Sequence, residues 1–198
     1  VVGFRVESRL GAREWVRALN AHLPQDIVVT NGYRVTDDFR IRKGAVSREY
    51  RYCIHNRSLP SPFLRDWTCF VPQRLDVDIM DESAKLLCGE HDFSSFVTSL
   101  NGVASAVRTV RSAGVQRTGD LVLFGVTADS FLPHQIRNTI GLLIRLGLHK
   151  TTTEEFRDIL AAKRPGLAGP MSPARGLYLT RVNYPRPLGS DIDEDLHS

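Results

Sequence analysis

Cysteine is scarce in this sequence. Cys53, Cys69 and Cys88 are the only three among 198 residues, an odd number with no Cys-x-x-Cys spacing. That excludes a disulfide framework and gives no support to a structural zinc site. The six histidines are scattered, without an HxH or HxxxH pair to suggest a metal. Long apolar runs are missing too: Leu121 to Val126, broken by Gly125, is far short of the ~20 residues that a membrane-spanning helix needs. Methionine is limited to Met80 and Met171, and the chain opens on Val1. The opening Val1-Val2-Gly3-Phe4-Arg5-Val6 reads as the middle of a β-strand and not as a signal peptide, so the expectation is that a segment precedes it. Few, unpaired cysteines fit a reducing, cytoplasmic setting.

The bulk composition is ordinary. Hydrophobic residues make up 42% and charged residues 24%, which excludes disorder as the main state. The formal net charge is +4. Four of the acids (Asp191, Asp193, Glu194, Asp195) crowd the last eight residues, and without residues 188–198 the body holds 26 basic against 18 acidic side chains. Within residues 40–57, Arg40, Arg42, Lys43, Arg48, Arg51 and Arg57 face one acid, Glu49. A local positive field of this kind favours polyanions, because each phosphate neutralised releases condensed counterions. A solvated basic face explains the same composition equally well. The acidic end is expected to be a disordered tail.

Periodicity places the elements. Ala12 to Asn20 reads as a helix with Trp15, Val16 and Leu19 on one face, and Ile27–Val29 as a short buried strand. Arg48 to Ile54 alternates as a strand: Tyr50, Tyr52 and Ile54 face one way, Glu49, Arg51 and Cys53 the other. Pro60, Pro62 and Pro72 make 58–73 an irregular connection. Asp76 caps a helix running to Cys88, with Gly89 as its stop. Thr118-Gly119-Asp120 joins two strands, Val107–Arg117 and Leu121–Ala128, into a hairpin. Phe131 to Lys150 reads as a helix with Leu132, Ile136, Ile140 and Leu143 inward and His134, Asn138 and Arg145 on the polar side. Thr152-x-x-Glu155 opens another helix, to Lys163, as a capping box. A Gly/Pro-rich loop leads to a last strand, Leu177–Tyr184. Hairpins mixed with helices indicate an α+β fold with a largely antiparallel sheet and helices packed on one face.

Four blocks carry a resemblance. They are Ser47-Arg48-Glu49-Tyr50-Arg51-Tyr52; Gly89-Glu90-His91-Asp92-Phe93-Ser94-Ser95-Phe96; Phe131-Leu132-Pro133-His134-Gln135-Ile136-Arg137-Asn138 running on to Gly141; and the stretch from Ala168 to Leu179. In this order and separation they resemble the tRNA pseudouridine synthase A family from Val1 to about Pro185. Arg40 and Pro133 depart from the residues usual there. The family's Gly-Arg-x-Asp-x-Gly-Val-His-Ala signature, which carries its catalytic aspartate, is absent from these 198 residues. The resemblance therefore implies a two-lobed enzyme: 1–45 as the remnant of a catalytic first lobe, 46–187 as the C-terminal lobe, and 188–198 as the tail. It also implies that the chain as given is inactive.

What the resemblance implies for the site follows residue by residue. Tyr50 packs against the target base, and its hydroxyl is a candidate for proton transfer. Arg137, on the edge of an apolar helix face, requires an anion, because an unpaired buried charge is costly. The resemblance supplies the catalytic aspartate as that partner, with a substrate phosphate second. Leu177 walls the pocket. Arg48 and Arg51, with Arg108, Arg111 and Arg117 of the hairpin, contact RNA backbone. Tyr52 is taken as core, and His91-Asp92 as a capped turn. The implied reaction converts uridine to pseudouridine in the anticodon stem-loop of tRNA, without metal or organic cofactor, on a homodimer. Two other readings compete. One is a non-catalytic basic α+β RNA-binding module, which is not an RRM because the aromatic RNP1 pattern is absent. The other is a structural dimerisation domain, which leaves the arginine on the apolar edge unexplained.

Overall fold

The computed structural model describes residues 1–186 and Leu188. Apart from Leu188, the expected acidic tail lies outside the described residues. Contacts divide the chain into a small unit, Val1–Val46 with the chain from Asn183 on, and a larger one, Ser47–Val182.

The small unit is built on one helix, α1 (Ala12–His22). Its first turn is closed where the Gly11 N–H donates to the Glu14 carboxylate at 2.7 Å. Phe4 meets Trp15 edge-on at 5.5 Å. The Asn20 amide clips the extended chain beside the helix, donating to the Val29 carbonyl at 2.9 Å and accepting from the Val29 N–H at 2.8 Å. Two expectations are corrected here. Neither Val1–Val6 nor Ile27–Val29 is a strand, and Val2 and Val28 are 90% and 70% exposed. Apolar residues alone do not make a strand. Its amides need a ladder partner, and among the described residues of this unit none lies beside either segment.

The larger unit is a six-stranded sheet. Its strands are β1 (Ser47–Asn56), β2 (Cys69–Val71), β3 (Gly89–Asp92), β4 (Val107–Thr118), β5 (Leu121–Ala128) and β6 (Leu177–Asn183). They lie in the order β2-β1-β5-β4-β3, with β6 also on β1. The β1–β2 pair is parallel, and the β1–β5, β3–β4 and β4–β5 pairs are antiparallel. The β6–β1 pair is antiparallel as well: the Cys53 N–H donates to Gly176 and the Thr180 hydroxyl to Glu49, at 2.8 and 3.0 Å. The alternation read along β1 holds, since Tyr52 and Ile54 are fully buried and Arg51 is exposed. The hairpin turns on Gly119, whose φ of 57° suits glycine. A bulge between Val110 and Ser112 throws Arg111 out of register. The short β2, inside the proline-rich connection, has too few residues to show a period; its parallel pairing with Ile54–Asn56 makes it a strand.

The helices are α2 (Val77–Lys85), α3 (Gln135–Gly147) and α4 (Thr153–Ala162). Asp76 caps α2 by accepting from the Ile79 N–H at 3.3 Å, and Thr152 and Glu155 form the reciprocal box of α4. Asp81 of α2 accepts the Val115 N–H at 2.8 Å, so this helix covers a free edge of β4. The third helix starts four residues later than the pattern suggests. His134 takes a left-handed φ of 63°, and the Gln135 side chain accepts the Leu132 N–H at 2.8 Å, which turns the chain before the helix begins. It is also buried nearly all round. Asn138, assigned to a polar side, is a buried donor to the Phe96 carbonyl at 2.9 Å. Its polarity satisfies the 3-10 turn Ser94–Phe96 instead of facing water.

Candidate active site

Four segments meet where β1 begins and β5 ends: the start of β1, the turn after β5, the first turns of α3, and the loop 170–176. The register sets Arg48 opposite Ala128 and Tyr50 opposite Val126. Tyr50 is half-buried, on the core side of β1. Its ring stands edge-on to Phe131 at 5.2 Å and 84°, a favoured aromatic geometry. Phe131 is presented by a tight turn around Asp129. One carboxylate oxygen of Asp129 accepts the Ser130 and Thr109 N–H groups at 2.6 and 3.2 Å, and its carbonyl accepts Arg48 Nη1 at 2.6 Å. Arg48 therefore also orders the turn that carries Phe131.

Arg137 stands in the first turn of α3. Its Nε donates to the Ser172 carbonyl at 2.8 Å, while the Ser172 N–H and hydroxyl donate back to the Arg137 carbonyl at 3.1 and 2.9 Å. Among the described residues no carboxylate pairs with this half-buried guanidinium. Its terminal nitrogens are left to solvent. Leu177 opens β6 against the core, its N–H on the Ala174 carbonyl at 3.1 Å. Tyr52 is fully buried beside them and donates to the Pro173 carbonyl at 2.8 Å. Burial pushes its hydroxyl pKa far up, so it stays protonated.

The structure does not gather every residue that the sequence singles out. Arg51 is exposed on the opposite sheet face from Tyr50. Arg117 is a structural donor, to the Asn56 side chain at 2.8 Å and the Leu75 carbonyl at 3.1 Å. Arg108 donates to carbonyls close by in the chain, those of Ser105 and Val107, at 2.8 and 2.6 Å. Asp92 caps a turn, accepting the Ser94 N–H at 2.9 Å, and His91 bonds the Cys88 carbonyl at 3.0 Å. Burial raises the Cys53 and Cys69 thiols, so neither is poised as a nucleophile. Sequence reasoning missed Ser172, Phe131 and Asp129. For Phe131 a signal existed, the Pro133 that makes a helix beginning at Phe131 unfavourable.

Residues 83–185 match the profile described as tRNA pseudouridine synthase. A tRNA pseudouridine synthase A of Shouchella clausii (strain KSM-K16) is 40% identical over 188 residues, covering 95% of this chain and 72% of the relative. One from Moorella thermoacetica is 39% identical over 184 residues, 93% of this chain and 75% of the relative. One from Colwellia psychrerythraea is 37% identical over 185 residues, 93% and 71% respectively. This chain belongs to the tRNA pseudouridine synthase A family. The family's members are isomerases that convert uridine to pseudouridine. Three of the four blocks that carried the resemblance to tRNA pseudouridine synthase A converge at the site: one on β1, one on the turn into α3, and one on the loop into β6. The fourth, Gly89–Phe96, forms β3 and the 3-10 turn to which Asn138 is anchored.

Proposed function

We propose that the junction of β1, β5 and α3 holds the target uridine of a tRNA while it becomes pseudouridine. The isomerisation breaks the bond from ribose C1′ to uracil N1 and forms one from C1′ to C5. A proton leaves C5 and one is gained at N1, so the composition is unchanged. The base must first leave its stack. Tyr50 offers a ring at the rim of the core, and stacking on an aromatic returns about 1–3 kcal/mol per base. The Tyr50 hydroxyl is the candidate to take part in this proton transfer. Charge developing on the sugar is oxocarbenium-like, the demand that leads glycosidases to carboxylates. Arg137 would hold such a carboxylate, or a phosphate of the substrate, through its terminal nitrogens. Leu177 completes the apolar wall. Arg48 shapes the floor through Asp129, and Arg51 contacts RNA backbone from the other face.

The observation that carries this reading is Arg137: a half-buried cation, clamped by Ser172, with no carboxylate partner among the described residues. The RNA is the anticodon arm of tRNA, read by shape, and the working form is a cytoplasmic homodimer. The reaction is followed by release of tritium from C5-labelled uridine in tRNA. Tyr50→Ala and Arg137→Ala are each expected to abolish turnover in the active enzyme while circular dichroism stays unchanged; a wild-type rate in either removes that residue from the site. The 198 residues alone, without the family's aspartate-bearing motif, are expected to bind tRNA and release no tritium. Light scattering of the enzyme tests the dimer, with a monomer mass counting against it.

A further inference from the structure

We infer that Tyr52 is a positioning residue for Arg137, acting through the loop 170–176. This rests on the role proposed for Arg137 above. Tyr52 has the burial of an ordinary core side chain, and its ring alone would account for that. Its hydroxyl does more. It donates to the carbonyl of Pro173, the residue immediately after the one whose carbonyl holds Arg137 Nε. Two consecutive carbonyls of one loop thus bind the β1 tyrosine and the α3 arginine. The loop cannot drift toward the helix: Gly141 of α3 lies so close to the Pro170 carbonyl that even a Cβ there would collide with it. At its far end the Gly176 carbonyl is held by the Cys53 N–H at 2.8 Å. Between these ends the only side chain of the sheet that bonds the loop is Tyr52, among the bonds of the described residues.

The donor is dependable because burial keeps the phenol protonated across the physiological range. Ser172, Cys69 and the Arg137 charge are near enough to the same hydroxyl to act on it. The arginine would otherwise be set only by Ser172, a residue on a Gly/Pro-rich loop. A loop that orients a charged group needs support from rigid elements, since small misplacements cost rate more than affinity.

The test is Tyr52→Phe, which keeps the ring that fills the core and removes the donor. In the active enzyme, kcat for tritium release is expected to fall about tenfold with KM for tRNA within about twofold, as expected for lost orientation rather than lost binding. Independently of turnover, NMR of the Arg137 Nε–H is expected to show faster solvent exchange in the variant. Wild-type kcat together with an unchanged Nε–H signal in folded Tyr52→Phe overturns the inference. Failure of the wild-type enzyme to release tritium would instead overturn the proposed function, and the Nε–H measurement would still decide whether Tyr52 holds the arginine.

Discussion

Single residues at this site are held by backbone groups more than by one another. Arg137 is oriented by a carbonyl, Arg48 by a carbonyl, and Tyr52 reaches a carbonyl. For Arg137 this leaves the terminal nitrogens available for a substrate while the Nε end is fixed. Gly176 shows how little room the arrangement leaves. Its φ is 98°, and a Cβ would meet the Cys53 carbonyl at 2.7 Å and the Cys69 nitrogen at 3.2 Å. Gly176→Ala is therefore expected to destabilise the protein by roughly 1–3 kcal/mol, from left-handed strain plus the clash. Urea unfolding measures it, and an unchanged midpoint would contradict the close approach.

At the scale of elements, α2 protects the sheet. Asp81 accepts the Val115 N–H on the free edge of β4 and pairs with Lys85 one turn on, at 2.8 and 2.7 Å. The hydrogen bond from Lys85, together with that from Val115, holds its carboxyl below the ordinary value of 3.8. The folded protein thus binds this proton less tightly than the unfolded chain. The stabilisation is present above the ordinary carboxylate pKa and is lost as pH falls through the lower folded value. Asp81→Asn is expected to lower stability at neutral pH and to flatten its fall in acid. Denaturant midpoints taken from neutral pH downwards check both, and parallel curves for the two proteins would refute the assignment. These elements were largely legible from sequence. The capping box, the Asp76 cap and the Gly119 hairpin rest on neighbours within a few residues, so local chemistry suffices to place them. Val1–Val6 and Ile27–Val29 were misread because a strand exists only by virtue of its partner.

The whole molecule carries a formal charge of +4, yet much of its arginine is occupied in structure. Arg117, Arg108 and Arg48 bond carbonyls or side chains of the protein. On the proposed function, the electrostatic attraction for RNA comes from exposed cations such as Arg51. Arg51→Ala is expected to weaken tRNA binding, leave kcat unchanged, and reduce the slope of log affinity against log salt by about one, as for a single lost phosphate contact. Filter binding over a salt series measures the slope; an unaltered slope would place Arg51 off the RNA.

The amino-acid order by itself determined the α+β class, most strands and helices of the larger unit, and, through four blocks of residues, the family. Each of these is written in local periodicity or in a motif, where the interacting groups are close in the chain. Only the tertiary structure decided which arginines are spent on carbonyls, that Asn138 is a buried donor, and that Ser172 bonds Arg137 while Tyr52 bonds the next carbonyl of the same loop. Ser172 lies 35 residues from Arg137 and Pro173 lies 121 from Tyr52. Hydrogen bonds over such separations leave no period in the sequence, because packing of the whole sheet brings the groups together.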